Sequence, residues 1–318
     1  MAGPSTSLAT LRPDIAASFM QFDLEASRAG FIGLQVAPVF ESALAADSPG
    51  KLKLAALLRE EETRRQGGGY GRGKWEFESY SFTTKEHGWE EPVDDRQKNL
   101  YRNYFDLEVI AAQRARDVVI RNHERRVKAL MASTYTAAAG TAWTTWASAT
   151  PVTNVEVGSE TFRSRTGYYP NAIVMTMKAF RNCRNTAQVI DRVAAQGAGE
   201  KVLAENINRE MLARVFDLKY VLVAGGQRNS ANEKQTPVLA SIWDDTKAYL
   251  IRVPETNDVQ EPHFARTFHW AADGSQIGGV METYRDETVR GDIVRCRMDT
   301  DEVVMYAEMC QEITGVTA

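Results

Sequence analysis

The chain has 318 residues, 43% hydrophobic and 25% charged, which excludes a disordered or collagen-like polypeptide and fits one elaborate domain or two intimately packed ones. Its 38 basic and 42 acidic residues leave a net charge of −4, without the basic excess of a dedicated nucleic-acid binder. No apolar run reaches the roughly 18–20 residues of a membrane span, so no membrane partner is expected, and no secretory leader is legible at the N-terminus. Three widely spaced cysteines (Cys183, Cys296, Cys310) make neither a disulfide framework nor a CxxC pattern, which points to a reducing compartment.

In chain order, residues 1–35 read as an arm of small and polar residues. A short helix is predicted over 16–29, where Ile15, Phe19, Phe22 and Ala26 recur at helical spacing. An apolar stretch, 36–46, is expected to pack on the body, and 51–65 ends in a charged run. Residues 66–73 (Gln-Gly-Gly-Gly-Tyr-Gly-Arg-Gly) read as a hinge or flexible tip, because glycine is costly inside helix or strand. The following 75–90 alternates aromatic with polar residues (Trp75, Phe77, Tyr80, Phe82), a strand signal that predicts a long two-stranded excursion.

Pro92 and the pair Asp94-Asp95 then predict the start of one continuous helix over 96–131. Its apolar stripe is Leu100, Tyr104, Leu107, Ala111, Ala115 and Val118, with Arg114, Arg116, Arg121, Arg125 and Lys128 elsewhere. At 1.5 Å per residue it would span ~54 Å and act as a brace. A small-residue tract, 132–151, carries Trp143 and Trp146. A turn at 167–171 leads to a buried strand, 172–177, and a helix over 179–190. Another helical stretch covers 199–216, followed by a strand at 221–224. Five strand-like runs follow, at 238–243, 247–253, 264–270, 279–285 and 292–298, before a mixed apolar end at 302–316. The fold class is α+β with long protrusions.

No motif carries chemistry. Residues 68–74 satisfy the first seven positions of a phosphate loop, but Trp75 stands where a Ser or Thr must ligate magnesium, and no strand precedes it. The four histidines (His87, His123, His263, His269) lie in no metal-ligand spacing, and no Gly-x-Ser-x-Gly elbow singles out a serine. Carboxylate runs such as 60–62 read as solvated faces and the cysteines as inert buried thiols. The expectation is no enzyme, no catalytic residue, no cofactor and no metal.

Several stretches together resemble the major capsid protein of tailed bacteriophages, with its HK-ninety-seven-like fold. Residues 167–175 (Gly-Tyr-Tyr-Pro-Asn-Ala-Ile-Val-Met) are similar to that family's Gly-x-x-Pro-Asn turn and strand, and Asn-Thr-Ala-Gln-Val-Ile-Asp-Arg-Val (185–193) follows as it does there. Residues 212–223 resemble the family's helix–loop–strand, and 284–288 with the strand at 292–298 form the third match. The resemblance covers about 79–314. It implies an N-terminal arm and lead-in (1–65), an extended loop (66–91), a spine helix with a peripheral domain (92–184), an axial domain (185–290) and a return to the peripheral domain (291–318).

It further implies pentamers and hexamers of the chain itself, building an icosahedral shell around double-stranded DNA in the virion, assembled in the host bacterial cytoplasm. Implied partners are a portal protein and DNA held non-specifically; because only a short arm precedes the body, the resemblance implies a separate scaffolding protein or none, and it leaves decoration proteins open. Covalent crosslinking is not assigned, because Lys74 and Lys85 lie in the right region without a matching asparagine or glutamate. A bacterial encapsulin-type nanocompartment shell is the alternative. A tiling protein needs broad surfaces anchored by aromatics and arginines. Trp75, Phe77, Tyr80, Phe82, Trp89, Arg121 and Arg125 are the subunit-interface candidates, the aromatics among them expected to lie in water on a lone subunit.

Overall fold

A computed structural model of the chain describes residues 10–11, 30–58, 60, 63–64, 66–70, 72, 76–101, 106–195, 203–232 and 235–317. The helix expected over 16–29 lies outside the described residues, as do Trp75 and Lys74.

The chain runs through strand β1 (Thr10–Leu11), helix α1 (Gly33–Val36) and strand β2 (Val39–Ser42) into a hairpin. The rising limb of that hairpin holds β3 (Ala46–Asp47), β4 (Gly50–Leu52) and α2 (Leu54–Leu57). Its descending limb holds β5 (Phe77–Ser79) and β6 (Phe82–Thr83), then merges into β7 (Lys85–Asp94). Helices α3 (Asp95–Tyr101) and α4 (Leu107–Leu130) follow, then β8 (Thr136–Ala138), α5 (Pro151–Thr166), β9 (Ala172–Thr176), α6 (Met177–Arg184), α7 (Ala187–Ala195) and α8 (Arg209–Val215). The remainder is mostly strand: β10 (Tyr220–Ala224), the pair β11 (Gln227–Asn229) and β12 (Leu239–Ser241), β13 (Lys247–Ile251), β14 (Ala265–Trp270), β15 (Val280–Asp286), β16 (Gly291–Val304) and, after a 3-10 turn at Ala307–Met309, β17 (Cys310–Thr314).

Two sheets organise these elements. The first has the order β1-β15-β16-β14-β2, with β7 also pairing along the 14-residue β16. The second has the order β10-β9-β13-β17-β8. Strands β8 and β9 share the second sheet with β10 and β13, and β14 and β15 share the first with β16, because long-range strand pairing overrides proximity in sequence.

The extended excursion also differs from expectation. Residues 75–90 do not fold back on one another; β5 pairs with β4 and β6 with β3, so the loop begins near residue 46, and β7 belongs to the first sheet.

The expected continuous helix over 96–131 is two helices. Asp94 starts α3, its carboxylate accepting from the N–H groups of Arg96 (2.7 Å) and Gln97 (3.2 Å). Asp106 starts α4 by accepting from the N–H of Glu108 at 2.9 Å. The aspartates therefore answer unpaired helix-start donors, as their sequence position suggests, but at two starts. The apolar stripe does not cross the break: Leu100 is 64% exposed, whereas Ala111 and Ala115 are buried. The 24-residue α4 spans about 36 Å, not ~54 Å.

The second sheet shows how strand periodicity divides the core. Ala172 and Val174 of β9, with Tyr249 and Ile251 of β13, face a core shared with α4 and β14. Ile173 and Met175, with Ala248 and Leu250, face a second core under α5, α6, α7 and α8. Alternate side chains point to opposite faces, so a strand covered on both sides reads as continuously apolar. The shared core, including Val127, Met131, Phe162, Phe264 and Phe268, joins the two sheets. A third cluster packs Ala111, Ala112, Ala115 and Val119 of α4 on Val294, Cys296 and Met298 of β16.

At the turn before β9, Gly167 ends α5 with φ +76°, a left-handed conformation that glycine adopts freely. Asn171 then pairs with Val253 through both ends of its amide, at 2.8 Å each way, which extends the sheet by a side chain.

Candidate assembly surface

The base of the hairpin is built onto its own subunit. Phe82 stacks on Phe268 with ring centroids 4.3 Å apart and planes 3° apart, and Tyr80 lies 5.9 Å from the same ring. Both are buried, which corrects the expectation that they lie in water. Period-two alternation places them on one face, and β14 supplies the surface that this face needs. On the rising limb, Lys51 donates to the carbonyl of Met305 and sits over the Tyr306 ring, while Tyr306 Oη donates to the carbonyl of Leu52 at 2.7 Å. The Leu58 side chain covers Gly167, so the limb also reaches the second sheet's side of the molecule.

The other sequence candidates stay at the surface on separate elements. Phe77, on β5, is 65% exposed, and Trp89, on β7, is 41% exposed with its indole N–H donating to Glu91 at 2.9 Å. Arg121 and Arg125 lie on α4 but differ. Arg121 pairs with Asp117 at 2.5 Å, donates to the carbonyl of Gln227 at 3.0 Å and lies over Phe31. Arg125 is exposed, with only a 3.4 Å contact to Asn122. Among the described candidates, Phe77, Trp89 and Arg125 are the most freely presented to a partner, while Arg121 is partly engaged within its own subunit.

Two charged groupings escaped sequence reasoning. The first is a cross-strand ladder in which Glu90 of β7, Arg295 of β16 and Glu282 of β15 sit directly opposite one another. Arg295 and Arg297 both donate to Glu282, and Arg297 also pairs with Asp273 at 2.6 Å. Burial raises the Glu282 carboxyl, but the hydrogen bonds from Arg295 and Arg297 outweigh it and hold the group below the ordinary glutamate range. The signal was present in Val294-Arg295-Cys296-Arg297-Met298, whose alternation predicts one apolar and one charged face.

The second grouping is buried where α1, α4 and the loop before β13 meet. Glu124 accepts from the N–H of Ile32 (3.0 Å), the N–H of Gly33 (2.6 Å) and the indole N–H of Trp243 (2.6 Å). Burial pushes its carboxyl above the usual range while these three donors pull against the rise. Beside it, Glu302 pairs with Arg126 at 2.6 Å and lies 3.5 Å from His123. This cluster fixes the start of α1 against α4.

Among the described residues no group of three or more His, Cys, Asp or Glu side chains could hold a metal ion. The thiols of Cys296 and Cys310 are pushed up to about 12 by burial, and that of Cys183 is raised likewise, which keeps all three unreactive. The glycine-rich stretch is preceded by α2 and followed by β5, the reverse of the strand-then-helix context of a phosphate loop. No helix of the described residues is long and apolar enough to cross a membrane.

No protein-family model matches the chain, and no curated protein matches it in sequence. Solved structures do match. A phage-related protein from Bordetella bronchiseptica superposes with a TM-score of 0.68 at 16% identity, covering 98% of each chain. The capsid of cyanophage P-SCSP1u gives 0.57 at 9% identity over 89% of this chain and 87% of the other. The SrpI encapsulin of Synechococcus elongatus gives 0.51 at 9% identity over 89% and 86%. The chain thus has the HK-ninety-seven-like fold of tailed-phage major capsid proteins.

Proposed function

We propose that this chain is the major capsid protein of a tailed bacteriophage, assembling through pentamers and hexamers of itself into an icosahedral shell around double-stranded DNA. The observation that carries the reading is the capsid fold over 89% of the chain, joined to long exposed elements. In this reading the protein resides in the virion, assembles in the host bacterial cytoplasm and acts without enzymatic activity. It meets a portal protein at one vertex, separate scaffolding and decoration proteins, and DNA held non-specifically. A slightly acidic subunit suits that last role, since it does not cling to the packaged polyanion. Phe77, Trp89, Arg121, Arg125 and Trp75 contact neighbouring subunits, while Tyr80 and Phe82 act indirectly by setting the angle at which the loop leaves the body.

The encapsulin-type shell is the second reading, favoured by the likeness to the encapsulin above. Electron microscopy of particles from cells making the chain, with nuclease treatment before nucleic-acid extraction, separates the two. Closed shells co-produced with a phage packaging system and holding nuclease-resistant double-stranded DNA support the capsid. Shells that retain only a protein cargo under the same conditions support the compartment, and a monomer at all concentrations overturns both.

A further inference from the structure

A cavity of about 240 Å³ lies within the subunit, where α1, α4 and the loop entering β15 meet. Phe31, Leu34, Ile120, Ile277 and Met298 make its wall mostly apolar, and Leu34 and Gln35 are exposed at its rim. An apolar cavity of about 150 Å³ already admits a benzene ring, so this one has room for an aromatic ring with a short substituent. Two buried polar side chains also line it, Glu124 at 1% exposure and His123 at 4%.

The charge of Glu124 has no counter-charge among the described residues. All three of its partners are neutral donors, as an acceptor-only ionised carboxylate requires. No lysine or arginine lines the cavity among the described residues. Burial keeps His123 neutral, lowering it to about 4, and its Nε2 is turned toward Thr267 (3.3 Å) and Glu302 (3.5 Å). A buried carboxylate is costly unless it is paired. A carboxylate has about four acceptor positions. Oε1 accepts from Ile32 and Trp243, whereas Oε2 accepts from Gly33 alone, so one position on Oε2 is left. Gly33 also brings no side chain to that oxygen, where a Cβ would stand only 2.7 Å away.

We propose that this cavity binds a small molecule with a primary ammonium group on a compact apolar body. The ammonium donates to Glu124 Oε2 and supplies the missing counter-charge, while the body packs among Leu34, Ile120, Ile277 and Met298. A charge-assisted hydrogen bond in a site screened from water favours the cation over a neutral molecule of the same shape. The apolar wall in turn selects against a bare inorganic cation, which would lose its hydration with little in return. The site is enclosed by one subunit, so it is independent of whether the assembled shell surrounds DNA or a protein cargo.

Calorimetric titration of the full chain with benzylamine, cationic at neutral pH, and with its neutral counterpart benzyl alcohol tests the proposal. Benzylamine should bind one site per chain, at least about tenfold tighter than the alcohol, and ammonium chloride should not displace it. No saturable heat up to about 10 mM benzylamine overturns the site. Equal affinity for the alcohol, or displacement by ammonium chloride at matched concentration, overturns the recognition by Glu124. Glu124→Gln removes the charge and should abolish the preference for the amine. A preference that survives in that variant, folded by circular dichroism, places the amine elsewhere and overturns the assignment. Because Glu124→Gln also disturbs three hydrogen bonds, Leu34→Trp and Ile277→Trp give a second route, each adding an indole to the wall while leaving those bonds in place. Benzylamine affinity should fall at least about tenfold in both. Affinity like the parent's in both shows that the ligand lies outside the cavity and sinks the proposal.

Discussion

At the scale of single residues, burial decides which charges matter to folding. Glu124→Ala would leave three N–H groups without an acceptor in a dry interior, each costing about 1–3 kcal/mol. A loss of at least about 3 kcal/mol in urea unfolding is expected, and a loss under 1 kcal/mol would show that water replaces the carboxylate. The two candidate interface arginines of α4, Arg121 and Arg125, should part company. Arg121→Glu breaks a helical ion pair and a bond to Gln227, so it lowers stability by about 1 kcal/mol. Arg125→Glu touches little within the subunit and should unfold like the parent while lowering particle yield. Equal yield for Arg125→Glu and the parent would remove Arg125 from the interface.

Elements set where a substitution is tolerated. Proline at position 107 of one continuous helix would be ruinous, but Leu107 is the first residue of α4, just after the Asp106 cap. A missing N–H costs little there, so Leu107→Pro should fold, whereas Ala115→Pro in the middle of α4 loses about 3 kcal/mol or more and should not. Circular dichroism and soluble yield of the two variants decide this; equal failure would mean that the helix is continuous across the break. The hairpin makes a second case. Because Tyr80, Phe82 and the whole of β7 are fastened to the body, the backbone amides between residues 85 and 94 that point toward β16 should exchange slowly even in free subunits. Protection that appears there only on assembly would show that the limb is docked by neighbours and not by its own sheet.

For the molecule as a whole, acid should act through histidines kept neutral inside. His123 and His263 are both fully enclosed, and burial lowers each from 6.5 to about 4. Between those values the unfolded chain binds more protons than the folded one, so stability falls as pH drops from 6.5 toward 4 and then levels for these groups. Each accounts for about 3 kcal/mol over that window. Urea midpoints measured from pH 7 to pH 4 should decline accordingly, and less steeply in His263→Asn. A flat profile would place both rings in contact with water.

The order of apolar strands, the turn at residues 167–171, the helix start at Asp94-Asp95 and the apolar character of β9 were legible because they depend on period, propensity and turn chemistry. Those are properties of neighbours in the chain. The 16-residue helix α5 left no readable trace, since its buried positions Val152, Val155 and Phe162 are diluted by Thr, Ser, Glu and Arg. The break before α4 was hidden likewise, because only packing tells an exposed Leu100 from a buried Ala111. Likewise the partner of each limb of the hairpin, the sheet to which residues 265–286 belong, and the meeting of Glu124 with Ile32, Gly33 and Trp243 were decided by contacts between residues far apart in sequence. Local pattern alone determined the type of the strongly periodic segments, such as β9 and the later strands, and the turn chemistry between them. Only the tertiary structure decided what each face is buried against, because pairing and packing are chosen by complementarity across the whole chain.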